Sequence, residues 1–266
     1  MMPAPNRTCI PFVKASACGN DFLIMQGEHA SSEIYDITRR ACHRNQGIGA
    51  DGVEWLFPAA GADIRARLLN ADGSEAEISG NGTRCVAAYL CSQQPRKSVA
   101  IETGAGVKVC TFLGSAGSTF EFEIAMGKPQ VSPPRTLQIE SGVVSGISVS
   151  MGNPHFVVFV ERFAHDWQRQ AAAIGRDQSF PHGVNVEVAL VRDAHTLETR
   201  FFERGVGETQ SSGTGSCASA VAAIASGLAV SPVSVVASGG TQIVRWDGDI
   251  FLRGSAQLVC RGDFFV

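Results

Sequence analysis

The sequence predicts an α+β protein of two pseudo-symmetric halves, each a mostly antiparallel sheet wrapped around a central helix, with a cleft between them. Three observations predict it. The first is an internal echo: Ser79-Gly80-Asn81-Gly82 returns as Ser212-Gly213-Thr214-Gly215 (212 − 79 = 133), and Gly19-Asn20 and Glu75 return at the same spacing as Gly152-Asn153 and Glu208. Matches in one register and one order mark a duplicated chain. The second is a series of short segments in which apolar and polar residues alternate, the period of strands with one buried face. The third is one alanine-rich segment per half, entered through the glycine turn, that reads as a buried helix.

Along the first half, Val13–Ser16 reads as a strand into the Gly19-Asn20 turn and "FLIMQ" as the strand out of it. "DIRARLL" alternates at Ile64, Ala66 and Leu68. The turn at Ser79–Gly82 launches the helix "RCVAAYLCSQ", and "VKVCTFLGSAGSTFEFEIAMG" reads as a hairpin about Gly114–Gly117. Between residues 128 and 142, Pro133-Pro134 breaks helix and strand alike, which sets the expected halves at 1–130 and 140–266. The second half repeats the scheme with Ile147–Met151, "FVVFV", alternation at Val184, Val186 and Val188, and a helix "CASAVAAIASG" that stops at Gly227. Asp247-Gly248 is a strong hairpin signal near its end.

The bulk numbers exclude several classes. A chain of 266 residues, 44% apolar and 18% charged, has the make-up of an ordinary globular protein. Its net charge of −3, with no Lys/Arg run, argues against nucleic acid or an anionic membrane surface as partner. No apolar run reaches the roughly 18 residues of a membrane span. Prolines and charges interrupt the N-terminus where a secretion leader needs an apolar core, so a cytoplasmic protein is expected. The eight scattered cysteines then read as reduced thiols, with no metal site expected. Lys14, Lys97, Lys108 and Lys128 all lie outside the glycine motifs, which argues against lysine-bound pyridoxal phosphate; no cofactor is expected.

The glycine turns suggest the chemistry. A helix N-terminus presents N–H groups and a positive dipole end to an anion such as a carboxylate. Two such helices related by pseudo-symmetry can hold one ligand from opposite sides. If each turn also carries a proton-exchanging group, one face of a carbon meets a base and the other an acid, as inversion of a stereocentre requires. A thiol at a helix N-terminus suits the base role, because its pKa falls there from about 8.5 to roughly 3.5–7.5. Here each turn carries a serine, Ser79 or Ser212, which reads equally well as a helix cap.

The successive segments "ACGNDFLIM", "GIGADG", "NADGSEAEISGNGTRC", "MGNPHFVVFV", "GVNVEVALV" and "ERGVGETQSSGTGSCA" resemble the signatures of the diaminopimelate epimerase family, in order from about residue 12 to residue 225. That family is cofactor-independent and related to proline racemase-like folds, and the resemblance places the active site in the cleft. It implies that Asn20, Asn70, Asn153 and Asn185 hydrogen-bond the substrate and that Glu203 and Arg204 engage its distal amino-acid end. It further implies that Gly80-Asn81 and Gly213-Thr214 hold the reacting carboxylate, while His155 and Glu203 tune the proton-transfer groups. Family members carry cysteine where this chain has Ser79 and Ser212. The implied activity is interconversion of LL- and meso-2,6-diaminopimelate in lysine and cell-wall precursor synthesis, by a homodimer. The competing readings are a serine-bearing racemase or dehydratase acting on another amino acid, and a catalytically silent protein that binds one.

Overall fold

The computed structural model describes residues 9–27 and 33–266. Residues 1–8, which supply most of the proline-and-charge pattern at the N-terminus, lie outside the described residues. The chain divides into two compact units, Met1–Glu123 with Ser255–Val266, and Ile124–Gly254.

The first unit contains β1 (Cys9–Ala17), β2 (Asn20–Gln26), α1 (Ile34–Cys42), β3 (Gly52–Phe57), β4 (Ile64–Asn70), β5 (Glu75–Ala76), α2 (Gly80–Gln93), β6 (Ser98–Thr103), β7 (Gly106–Ala116) and the start of β8 (Thr119–Gly127). The second continues with β9 (Gln130–Val131), β10 (Arg135–Ile139), β11 (Gly142–Ser150), β12 (Pro154–Phe159), α3 (Trp167–Gly175), β13 (Asn185–Asp193), β14 (Thr196–Glu203), β15 (Gly207–Thr209), α4 (Gly213–Ala225), β16 (Val233–Ala237), β17 (Gly240–Asp247) and the first part of β18 (Asp249–Phe265).

The α+β class holds, and the duplication extends to strand pairing. In the first unit β2 is antiparallel to β1 and parallel to β3, β4 is antiparallel to β3 and parallel to β6, and β7 returns antiparallel to β6. In the second, β12 is antiparallel to β11 and parallel to β13, β14 is antiparallel to β13 and parallel to β16, and β17 returns antiparallel to β16. The registers agree as well: Ile24 faces Glu54 across β2–β3 as Val157 faces Glu187 across β12–β13. Within its own unit, α2 packs on β1, β2, β4, β6 and β7, and α4 packs on β11 to β14, β16 and β17. The apolar, small-residue sequences of these helices are what allow strands to approach from so many sides: Cys85 to Ala88 and Cys217 to Ala223 are all buried.

Each unit also has a second helix, where the sequence reading expects one. Helix α1 lays Ile34, Ile37 and Ala41 against Val53 and Trp55 of β3, and Trp55 Nε1 donates to Thr38 Oγ1 at 2.9 Å. Helix α3 packs Trp167, Ala171 and Ile174 against Val184, Val186 and Val188. As a result β13 is covered on both faces, by α3 and α4, while β3 has α1 on one face and meets the mouth of α2 at Gly82 through Glu54.

The turns follow their chemistry. Gly19 and Gly152 sit at φ 85° and 97°, Gly227 at φ 70° just past the end of α4, and Gly248 at φ 71° between β17 and β18, all in the left-handed region that glycine enters without cost. Pro133-Pro134 falls between β9 and β10, so the segment expected to be a joint carries two short strands instead. The chain leaves the first unit earlier, within β8, and residues 255–266 return to it within β18. There they pair with β1 from Cys9↔Phe265 to Ser16↔Gln257. In the second unit β9 holds the corresponding place beside β11, pairing Val131 with Val149.

Candidate active site

In the first unit, Ser79 is the N-cap of α2: its Oγ accepts from Gly82 N at 3.1 Å and its carbonyl from Thr83 N at 2.8 Å. The extended backbone at Ser79 (φ −123°, ψ 123°) brings the chain from β5 into the helix mouth. Around it runs a polar chain. Asn81 Nδ2 donates to Asn20 Oδ1 at 2.8 Å, and Asn20 Nδ2 donates to Asp51 Oδ2 at 3.0 Å. Arg44 Nη2 bridges Asp51 Oδ1 at 2.7 Å and Asp21 Oδ1 at 2.8 Å, and Lys14 Nζ reaches Asp21 Oδ2 at 2.9 Å. Burial works to raise the Asp21 pKa, but Arg44 and Lys14 together hold it below the ordinary carboxylate value. Asp51 thus anchors Asn20.

Behind Asn81 lies Arg84, fully buried in α2, whose Nη2 donates to Asn81 Oδ1 and lies 3.7 Å from Cys18 Sγ. Cys18 has φ 47°, a left-handed conformation that a non-glycine residue rarely holds, so the Gly-Asn turn is strained at that point. Asn70 is exposed at the end of β4 and bonded through Nδ2 to Ser74 Oγ at 3.0 Å, and Asp72 caps the same turn by accepting from Ser74 N at 2.8 Å.

The second unit repeats the core of this arrangement. Ser212 is the N-cap of α4, its Oγ accepting from Gly215 N at 3.2 Å and its carbonyl from Ser216 N at 2.9 Å. Asn153 Nδ2 lies 3.4 Å from Thr214 Oγ1, the counterpart of the Asn20–Asn81 contact. His155 is buried with both ring nitrogens engaged: Nε2 at 3.0 Å from Asn153 Oδ1 and Nδ1 at 2.7 Å from Glu187 Oε1. Asn185 donates through Nδ2 to Pro154 O at 3.1 Å and accepts Arg204 N at 2.9 Å. The Arg204 guanidinium donates to His182 O at 2.8 Å, and Glu203 ends β14 close enough to Glu187 to oppose its ionisation.

Two further residues belong to these sites. Glu54 and Glu187 are buried carboxyls at equivalent places in the repeat, on β3 and β13. A Cβ on Gly82 would come 2.1 Å from Glu54 Oε1 and 3.3 Å from Ser79 Cβ. One on Gly215 would come 2.8 Å from Glu187 Oε1 and 3.0 Å from Ser212 Cβ. The second glycine of each Ser-Gly-X-Gly turn therefore lies between the serine Cβ and a buried carboxyl, and only a residue without a Cβ fits there. Burial alone pushes Glu54 up to about 8. Burial also raises Glu187, with His155 opposing the shift and Glu203 adding to it. In sequence these glutamates look like the solvent side of an alternating strand. The one signal that could have found them is their common offset within the repeat.

Of the other expected residues, Gly80 and Gly213 open α2 and α4, where the first-turn N–H groups have no partner within the helix. Glu75 pairs with Arg67 at 2.9 Å, and Glu208 accepts from Gln168 at 3.1 Å, so both brace their turns. All eight cysteines are free; Cys85 and Cys217 are fully buried, and burial raises the Cys85 thiol far above its ordinary value. Among the described residues no helix is long and apolar enough to cross a membrane.

Comparison with known proteins places these features in a family. The sequence model of diaminopimelate epimerase matches residues 12–131 and 147–259. The diaminopimelate epimerase of Sphingopyxis alaskensis is 37% identical over 268 residues, covering 95% of this chain and 96% of that protein. That of Desulfovibrio desulfuricans is 32% identical, covering 96% and 98%. Among solved structures, a hydroxyproline epimerase from Agrobacterium vitis with bound trans-4-hydroxy-L-proline superposes with a TM-score of 0.71 at 16% identity, covering 96% of this chain and 90% of that one. A phenazine biosynthesis protein of the PhzF family from Bacillus anthracis gives 0.70 at 17%, covering 97% and 100%. The structural neighbours share the fold, and the sequence relatives match along nearly the whole length of both chains. The twinned, serine-capped helices therefore sit in a chain that matches a known group of isomerases over nearly its whole length, and the chain belongs to the diaminopimelate epimerase family.

Proposed function

We propose that the protein is a cofactor-independent epimerase that interconverts LL- and meso-2,6-diaminopimelate, with Ser79 and Ser212 standing where the family carries its two cysteines. The observation that carries this reading is the repeated constellation of a capping serine, a helix N-terminus and an asparagine from the Gly-Asn turn, found in each unit of a chain in this family. Inversion at an α-carbon needs two proton-transfer groups and a stabilised carbanion, and a duplicated helix mouth supplies both kinds of group twice. Asn20, Asn70, Asn153, Asn185, Glu203 and Arg204 are the side chains assigned to the substrate, and Gly80-Asn81 and Gly213-Thr214 the backbone assigned to its reacting carboxylate.

Each capping bond uses the serine oxygen as acceptor and leaves the hydroxyl proton to donate elsewhere. Capping and proton transfer are therefore compatible in one residue. A hydroxyl about five pKa units less acidic than a thiol costs roughly 7 kcal/mol per proton-transfer step if it works unaided. The dipole at the helix N-terminus recovers about 1–2 kcal/mol of that.

The test is α-proton exchange of LL- and meso-diaminopimelate in D₂O, followed by NMR at high protein concentration. Protein-dependent deuterium uptake that is lost in Asn70→Ala supports the epimerase. Binding of diaminopimelate by calorimetry without any uptake over days would replace it with a binding protein.

A further inference from the structure

We infer that Glu54 and Glu187 are proton reservoirs for Ser79 and Ser212, each carboxyl exchanging a proton with the serine of its own unit. This rests on the epimerase reading above and supplies what an unaided serine lacks.

Four observations carry it. The two carboxyls occupy equivalent positions of the repeat, Glu54 opposite Ile24 and Glu187 opposite Val157 in matched parallel strand pairs. Both are buried, at 3% and 0% exposure, in a core where an acidic side chain without a task is costly. Each lies against the second glycine of its turn, where a Cβ would approach both the carboxyl Oε1 and the serine Cβ, so the two side chains border one small space. Finally, the Glu187 oxygen that faces Gly215 and Ser212 is Oε1, the one His155 Nδ1 also holds at 2.7 Å, while Oε2 is buried without a hydrogen-bond partner among the described residues. The carboxyl on the serine side is thus anchored by His155, and its second oxygen has no other engagement.

The exchange balances in each direction. When a serine oxygen takes the proton of a substrate α-carbon, its own hydroxyl proton passes to the carboxylate. The C–H electron pair stays on carbon and spreads into the substrate carboxylate. In the reverse sense the carboxylic acid gives its proton to the serine oxygen, the hydroxyl proton moves to the carbon, and the electron pair becomes the new C–H bond. The N–H of Gly82 or Gly215, already on the serine oxygen, steadies the charge that builds there.

The two reservoirs differ in their surroundings. Burial alone shifts Glu54, and Cys85 on α2 is the ionisable group that feels its charge. Glu187 faces His155 of β12 and Glu203 of β14, and Cys217 on α4 lies in the adjoining core. Neither glutamate touches substrate in this scheme; both are positioning residues that act through the serines.

The experiment uses the intact chain labelled with [3-¹³C]serine, with Ser79→Ala and Ser212→Ala to assign the two signals. Expected is a pH titration of both serine Cβ shifts, abolished for Ser79 in Glu54→Gln and for Ser212 in Glu187→Gln. Deuterium exchange of diaminopimelate is then expected to lose roughly 10²–10⁴-fold in kcat with KM nearly unchanged. Glu54→Asp and Glu187→Asp keep the carboxyl and its limb of the pH–rate profile, and also serve if a Gln variant fails to fold. Serine shifts that stay flat with pH in the unaltered protein overturn the relay, whatever the activity. Exchange that survives in both Gln variants at the unaltered rate overturns it while leaving the epimerase reading intact. Titrating serines in a protein that exchanges no diaminopimelate α-proton keep the coupled pairs and refute the substrate reading instead.

Discussion

A carboxyl buried without a cation, as Glu54 is, ties folding stability to pH. Its pKa rises from 4.5 in the open chain to about 8 in the fold. Between those values the folded state holds a proton that the unfolded state has released, so stability falls as pH rises through that window and levels off above about 8. The loss is up to about 5 kcal/mol. Glu54→Gln is expected to flatten this dependence, which urea denaturation at pH 5 and pH 8.5, alongside the unaltered chain, would measure. The raised pKa of Glu187 acts in the same direction. His155 is its only hydrogen-bond partner among the described residues. His155→Leu leaves that carboxyl buried without a partner and is therefore expected to cost about 3–5 kcal/mol in urea denaturation, with the cost shrinking as falling pH protonates the carboxyl. At the serines, Ser79→Cys/Ser212→Cys supplies two thiols at helix N-termini and is expected to raise the exchange rate by several orders of magnitude. Steady-state epimerase assays of the double and single variants check this; no gain would mean that the surrounding groups no longer suit thiol chemistry.

At the scale of elements, the glutamates and the second helices were illegible for one reason. The alternation Val184, Val186, Val188 gives a strand with one apolar face, and the natural inference puts Glu187 toward solvent. The valines do face a core, but it is the one built with α3, and Glu187 lies on the opposite face with Ala189, toward α4. Without α3 in view nothing in the sequence singles out Glu187, and the same holds for α1 and Glu54, whose neighbours Val53 and Trp55 pack on that helix. Both helices span only nine residues, and neither N-cap makes a side-chain hydrogen bond, so the capping signals that announce α2 and α4 are absent. The serine-glycine turns, by contrast, were legible down to the residue, because a cap and a close backbone approach each demand a particular side chain. Gly82→Ala tests the approach: its Cβ would fall 2.1 Å from Glu54 Oε1, so the carboxyl must move. A loss of about 1–3 kcal/mol in urea denaturation is expected, with a fall in exchange rate. Exchange at the unaltered rate would show that the carboxyl's position is immaterial.

At the scale of the molecule, the repeat was legible because a duplicated chain keeps its offset even where composition drifts. Its boundaries were not. The sequence places residues 255–266 with the second half by simple order, whereas β1 needs a partner on its outer edge and takes it from Arg261, Cys260 and Leu258. Nothing in the local composition of β18 marks where its neighbours change. Removing residues 255–266 is expected to strip β1 of that ladder and make the first unit the more easily proteolysed. Limited proteolysis with mass spectrometry would read this as early cleavage before Glu123, and equal protection of both units would refute it.

That late strand also bears on how the chain matures. A ribosome delivers β1 more than two hundred residues before the strand that flanks it. During synthesis the first unit must wait, its outer edge unsatisfied, while the whole second unit is made. The second unit has no such delay, since β9 precedes β11 in the chain and β18 follows β17 directly. Folding order is thus reversed relative to synthesis order: the half made last can finish first.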